Sequence, residues 1–266
     1  MPATFAHPIA VLPLSRRPLV FSALVVGSLA PDFEYLLRLA PRSTVGHTVL
    51  GLFTFCLPLG LAVVWFWHAF LKVPLLELLP DRHYRALLPL SHPFSLTPAL
   101  RFGVVALSVL LGAATHVGWD AFTHSNGWAV LEFPLLSTPV LHTPFGTLRM
   151  FKLLQHGSTL LGSLGLIAFY FRWLGRQGGS SLARTSSLSA SLRSWAICLF
   201  LLVAGAVGLG LAWAVTPPAR GLDATRVLLV RGMLFGGATL LLQVLLFAGW
   251  WNSTSSSRKV RGISRA

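Results

Sequence analysis

The chain has 266 residues, 54% of them hydrophobic and 11% charged, with a mean hydropathy of +0.71. Soluble domains carry roughly a quarter charged residues, so a water-soluble fold is excluded in favour of helices in lipid. The net charge of +14, from 21 Lys and Arg against 7 Asp and Glu, sits beside apolar runs with no recognition motif, which excludes a nucleic-acid partner and implies a bilayer.

In chain order, the N-terminus lacks a basic region followed by an apolar stretch and a cleavage site, so no removable signal peptide is expected. Ser15-Arg16-Arg17 reads as the flank of the next helix and not as a twin-arginine signal. Residues 18–39 are apolar but interrupted by Pro31, Asp32 and Glu34, which predicts a kinked or partly re-entrant helix. Clear spans are expected at 48–71, 101–122, 156–174, 195–215 and 227–251, each near the roughly 20 residues that cross a hydrocarbon core. The fold class is therefore an all-α polytopic transmembrane bundle of five to six spans with a kinked first helix.

The expected organisation is a membrane domain over 1–175 carrying the candidate metal site and a basic cytoplasmic loop over 176–194. Two further helices over 195–251 and a basic tail over 252–266 complete it. Cys56 and Cys198 fall inside apolar runs and read as packing residues, not as a disulfide or thiolate site. Gly232 and Gly236, at GxxxG spacing, predict a close helix crossing.

Orientation follows from the loops. Arg172, Arg176, Arg184 and Arg193 stand in one loop with no acid, and Arg258, Lys259, Arg261 and Arg265 in the tail; both segments are expected in the cytoplasm. Counting back, the 72–100 loop with Lys72, Arg82, Arg85 and Arg101 is also cytoplasmic, and the 123–155 loop faces outward. The 216–226 loop is placed outside despite Arg220 and Arg226, which Asp223 offsets in part. This is the multi-pass inner-membrane arrangement of a bacterial protein, with a cytoplasmic C-terminus.

Ionisable groups inside or at the ends of membrane helices are costly, and each raises a functional question. His116, Asp120 and His124 are spaced four apart, so on a helix they share one face and could converge on a metal. The orientation brings His47 and His156 to the same side, and Asp32 and His7 join them if the kinked segment and the N-terminal stretch end there. The bland reading is that each His is an interfacial or hydrogen-bonded residue, that Asp120 pairs with His116, and that Asp32 is a turn residue after Pro31. His68, His83 and His92 fall on the other side, and His142 and Glu132 are weaker candidates in the outward loop.

The stretches Phe5-Ala6-His7-Pro8, Gly27 to Tyr35, Gly46-His47-Thr48, His116 to His124 and Gln155 to Thr159 resemble the domain-of-unknown-function 4184 family of bacterial membrane proteins. More distantly, they resemble membrane-bound metal-dependent hydrolases and zinc-dependent phospholipase C. That resemblance implies a metal ligand set of His7, Asp32, His47, His116, Asp120, His124 and His156, with Asp32 or Glu34 as general base. It departs from the phospholipase pattern where Leu160 stands four residues after His156 in place of an acid, which implies one or two metals, most simply zinc, and not three. The implied activity is hydrolysis of a phosphoester or lipid-linked substrate at the outer membrane face. The rival classes are a proton- or ion-coupled transporter using the same residues as a relay, and a non-catalytic membrane protein.

Overall fold

The computed structural model describes residues 4–143, 146–177, 186–216 and 222–260. Arg184, Arg220, Arg261 and Arg265, which the orientation above uses, lie outside the described residues, as do the side chains of Asp223, Arg258 and Lys259.

A 3-10 helix, Thr4–Leu14, carries Pro8 and Pro13 and precedes α1, Phe21–Leu29. A single 3-10 turn, Ala30–Asp32, then breaks the chain before α2, Phe33–Arg38. The kink expected around Pro31 is thus a change of helix type. Helix α3, Val49–Glu77, contains two π turns, Leu52–Cys56 and Trp67–Leu71. Each lies just ahead of a proline, Pro58 or Pro74, whose missing N–H disturbs the regular ladder. There follow α4, Asp81–Leu87, and α5, Ala99–Thr123, then two short helices, α6, Trp128–Glu132, and α7, Pro134–Ser137. An antiparallel hairpin of β1, Pro139–Thr143, and β2, Gly146–Arg149, leads into α8, Met150–Arg176. The chain continues through α9, Ala190–Val215, and α10, Leu222–Val260.

The fold is all-α apart from that hairpin. Among the described residues four helices are long and apolar enough to cross a membrane: Val49–Glu77, Ala99–Glu132, Ala190–Val215 and Ala224–Thr254. The span expected at 156–174 falls on α8, which has 27 residues. It is not one of the four, since Gln155, His156, Ser158 and Thr159 make its N-terminal part polar. The 123–155 loop is more ordered than its composition suggested, with two helices and the hairpin inside it, and α8 starts early enough to include Lys152 and Gln155.

The chain forms two compact units. The first comprises the described residues within 1–34, 43–64 and 95–176. Its frame is the crossing of α1 over α5, where small residues let two backbones touch. A Cβ on Gly27 would collide with the Val109 carbonyl, and one on Gly112 with the Leu24 carbonyl. The backbone N–H of Val20 donates to Ser108 Oγ at 3.0 Å beside the same contact. Cys56 is a packing residue as expected, buried with Ala30 and Ala113 and donating to the Gly46 carbonyl at 3.4 Å.

The second unit comprises the described residues within 35–42, 65–94 and 177–266. Here α9 packs on α10 through Gly208, whose added Cβ would meet Gly232 O and Gly236 Cα at 2.7 Å. The GxxxG pair therefore serves a crossing within the chain. Arg193, expected as an unopposed loop cation, is buried and donates to Asp81 Oδ1 at 2.6 Å and to Leu79 O at 2.8 Å. The guanidinium holds the Asp81 carboxyl below the usual aspartate range. Glu77 accepts from the Ser187 N–H at 2.6 Å and hydroxyl at 2.7 Å. These contacts tie Glu77, Leu79 and Asp81 to Ser187 and Arg193.

Replacing Gly112 by valine forces the α1 and α5 backbones apart, and overpacking of this kind costs about 1–3 kcal/mol or more. Gly112→Val should lower the thermal unfolding midpoint in detergent, whereas Gly118→Ala, where an added Cβ meets nothing within 4 Å, should leave it unchanged. Equal midpoints for Gly112→Val and wild type would refute the crossing.

Candidate metal centre

All of the site residues described below belong to the first unit. The α1–α5 crossing sets the register of its deepest member. With Gly112 against Leu24 and Ser28, the next turn of α5 brings His116 Nδ1 to 2.7 Å from the Ser28 carbonyl. A carbonyl only accepts, so Nδ1 carries the hydrogen, and Nε2 is the nitrogen turned to the other side. His116 is completely buried, and its Nε2 makes no hydrogen bond of its own among the described residues.

The second imidazole is fixed by a different device. Glu34 is buried, and its two oxygens accept from the N–H groups of Thr44, Val45 and Gly46 at 2.8–3.0 Å and from the hydroxyl of Thr44 at 2.9 Å. Ser43 Oγ donates its one hydrogen to Glu34 at 2.7 Å and lies 2.8 Å from His47 Nδ1. Toward His47 that hydroxyl can only accept, so His47 too is protonated at Nδ1 and turns Nε2 inward. Glu34, expected as a possible general base, ties down this loop and, through Ser43, orients His47.

Between the two imidazoles lie two carboxylates. His47 Nε2 is 3.3 Å from both Asp32 Oδ1 and Asp120 Oδ2. His116 Nε2 is 3.5 Å from Asp32 Oδ1 and 3.4 Å from Asp120 Oδ2. Thr4 Oγ1 donates to the other oxygen of Asp32. Zinc bonds of about 2.0–2.1 Å in tetrahedral geometry require ligand atoms about 3.3–3.4 Å apart. The four imidazole-to-carboxylate spacings match that edge, and the donor set of two imidazoles and two carboxylates suits a divalent transition metal.

His7 and His124 border the far oxygen of Asp120. His7 stacks on His116 with ring centroids 3.7 Å apart, and its Nε2 is 3.6 Å from Asp120 Oδ1. Helix α5 ends at Thr123, so His124 is its C-cap on extended backbone, with Nδ1 3.4 Å from Asp120 Oδ1. Lys152 donates to Gln155 Oε1 at 2.6 Å, so it is the Gln155 amide nitrogen that faces His124 Nε2, at 3.3 Å. That amide donates to Nε2, the hydrogen of His124 sits on Nδ1, and the residue points a donor at Asp120. That Nδ1 lies 3.3 Å from the Asp120 main-chain carbonyl, which closes the end of α5 beside the Asp120 carboxylate.

Two groups of three residues could hold an ion, His7 with His116 and Asp120, and Asp32 with His47 and His116. His156 belongs to neither and is exposed, one helix position away from the buried Gln155 that does reach the cluster. The sequence reading chose the imidazole and missed the amide, because on a helix a shift of one residue turns a side chain by about 100°. His142 is exposed on β1 with Thr147 Oγ1 3.1 Å away, Glu132 is exposed, and His68 stacks on Phe94; none is in either group. The site is not sealed, since His47 and His124 keep 23% and 26% of their side-chain surface exposed.

Helices of spanning length together with an ionisable cluster at the end of one of them define an integral membrane protein with a possible metal centre. The chain belongs to the family described as domain of unknown function DUF4184, which matches residues 1–248. No curated protein and no solved structure matches the chain.

Replacing Glu34 by glutamine puts a donor where loop N–H groups and the Ser43 hydroxyl need an acceptor. Leaving such buried groups unsatisfied costs about 1–3 kcal/mol. Glu34→Gln should therefore accelerate proteolysis within the 43–46 loop while leaving every proposed ligand in place, and unchanged cleavage would remove Glu34 from this role.

Proposed function

We propose that this membrane protein holds a divalent metal ion, zinc, between His47, His116, Asp32 and Asp120, and that it hydrolyses a phosphoester or other lipid-linked substrate at the outer face of the membrane. One observation carries the reading. Two imidazoles held with Nε2 inward face two carboxylate oxygens at 3.3–3.5 Å, and with the rings neutral this is a donor set for a divalent cation.

The reaction type is carried over from the resemblance read in the sequence alone, and the incomplete closure at His47 and His124 supports access for a substrate. A bound zinc ion supplies Lewis acidity and a water activated near neutral pH. Zinc can expand to five ligands, so a water would join the four protein atoms, and Asp32, the carboxylate held by Thr4 on the short 3-10 turn, would accept its proton on leaving the ion. Asp120 would stay on the ion, and His124 and His7, which border its other oxygen, line the approach. Helix α3 supports the outer face: it begins two residues after His47 and ends in the basic 72–100 loop, which the charge rule keeps in the cytoplasm.

Protein purified without chelators should contain about one zinc per chain, as structural and catalytic zinc sites of this donor type do. Asp120→Ala and His116→Ala should each lose it while inserting normally. Hydrolysis of a fluorogenic phosphodiester lipid in nanodiscs should stop with chelator and return with zinc. Zinc-free wild-type protein with the same thermal midpoint as the zinc-supplemented form would contradict the metal and favour a proton relay through the same residues. Zinc without any turnover over a panel of lipid esters would remove the hydrolase and leave the metal.

A further inference from the structure

Beside the cluster, with His7 in its wall, lies a cavity of about 370 Å³. That volume falls in the range of small-molecule sites, roughly 300–1,000 Å³. Its walls come from three elements of the first unit. The N-terminal 3-10 helix contributes Ala6, Ile9 and Ala10, α5 contributes Trp119, and α8 contributes Ser158 and Thr159, whose hydroxyls both donate to the Gln155 carbonyl, with Leu161 and Gly162. Gly162 lets the 3-10 helix approach, since a Cβ there would meet Ile9 Cγ2 at 3.2 Å and Ala6 O at 3.3 Å. Trp119 Nε1 donates to Ser158 Oγ at 3.1 Å, which satisfies the polar edge of the indole and turns its apolar surface to the cavity.

We infer that this cavity binds one hydrocarbon chain of a membrane lipid and so holds the lipid's polar ester against the His/Asp cluster. The inference rests on the hydrolytic reading above and names its substrate class. Three observations commit the occupant. The lining is nearly all carbon, with no charged side chain other than the His7 imidazole, so an anionic or sugar group would find no partner there. Helix α8 turns Leu160, Leu161, Leu164 and Ile167 outward, each at least half exposed, so the mouth beside Leu161 opens on lipid tails. The inner wall is His7, which contacts both Asp120 and His116, so a chain seated in the cavity ends one ring away from the proposed ligands.

The test uses full-length protein in nanodiscs containing a phosphatidylglycerol with a diazirine at the end of one acyl chain, crosslinked by light and mapped by mass spectrometry. The expected result is labelling concentrated on residues 6–10 and 158–162. Ala10→Phe and Thr159→Phe, which fill the cavity from two different elements without touching the cluster, should each lose that labelling while retaining wild-type zinc. Labelling spread evenly over the outward faces of all spans would overturn the inference, as would unchanged local labelling in both filled variants. Because zinc is measured on the same samples, local labelling without zinc keeps the chain site and removes the metal, whereas zinc without local labelling removes the chain site alone.

Discussion

Two buried carboxylates, Asp32 on a 3-10 turn and Asp120 near the end of a membrane-length helix, stay ionised together only if positive charge lies between them. Desolvating one carboxylate costs several kcal/mol even after relaxation, and lipid supplies no counter-ion. Asp32 and Asp120 retain 9% and 10% of their side-chain surface, and both point at the same two imidazoles. The surroundings decide how the charge is balanced. The Ser28 carbonyl occupies one nitrogen of His116, and the Ser43 hydroxyl occupies one of His47, so each ring has one nitrogen left for the carboxylates. A cation shared by all four atoms satisfies every group at once.

The rest of the first unit serves that arrangement. Glycines at 27 and 112 bring α1 within backbone contact of α5, and only at that separation does the Ser28 carbonyl reach His116. The 3-10 turn at Pro31 redirects the chain so that Asp32 faces the cluster and Glu34, two residues on, gathers the loop that carries His47. Gly46 belongs to the same device, since a Cβ there would meet the Pro31 carbonyl at 2.5 Å. Small residues thus set the backbone separations, and polar side chains convert them into ligand orientation.

Much of the site was legible in the sequence, for identifiable reasons. His116 and Asp120 lie one helical turn apart in an apolar run, where ionisable groups stand out, and Asp32 follows a helix-breaking proline. His47 and His7 were reached through topology and resemblance. Neither Gln155 nor Ser43 nor the Ser28 carbonyl was legible, because amides, hydroxyls and main-chain groups carry no signal until the elements pack. Glu34 was visible as an acid, but its role was not, since a base and a loop clamp look alike before the loop is seen to fold around it. The apolar runs located the spans well, except at α8, whose polar N-terminal turns face the cluster and lower its hydropathy. The β1–β2 hairpin gave no alternating pattern to read, as nearly all of its residues are exposed.

Zinc-edge X-ray absorption on the purified wild-type protein tests the central claim most directly. The account predicts a first shell of two imidazole nitrogens and two carboxylate oxygens at about 2.0–2.1 Å, with one imidazole lost in His47→Ala and none lost in His156→Ala. A shell without imidazole, or one that loses a nitrogen in His156→Ala but not in His47→Ala, would contradict it.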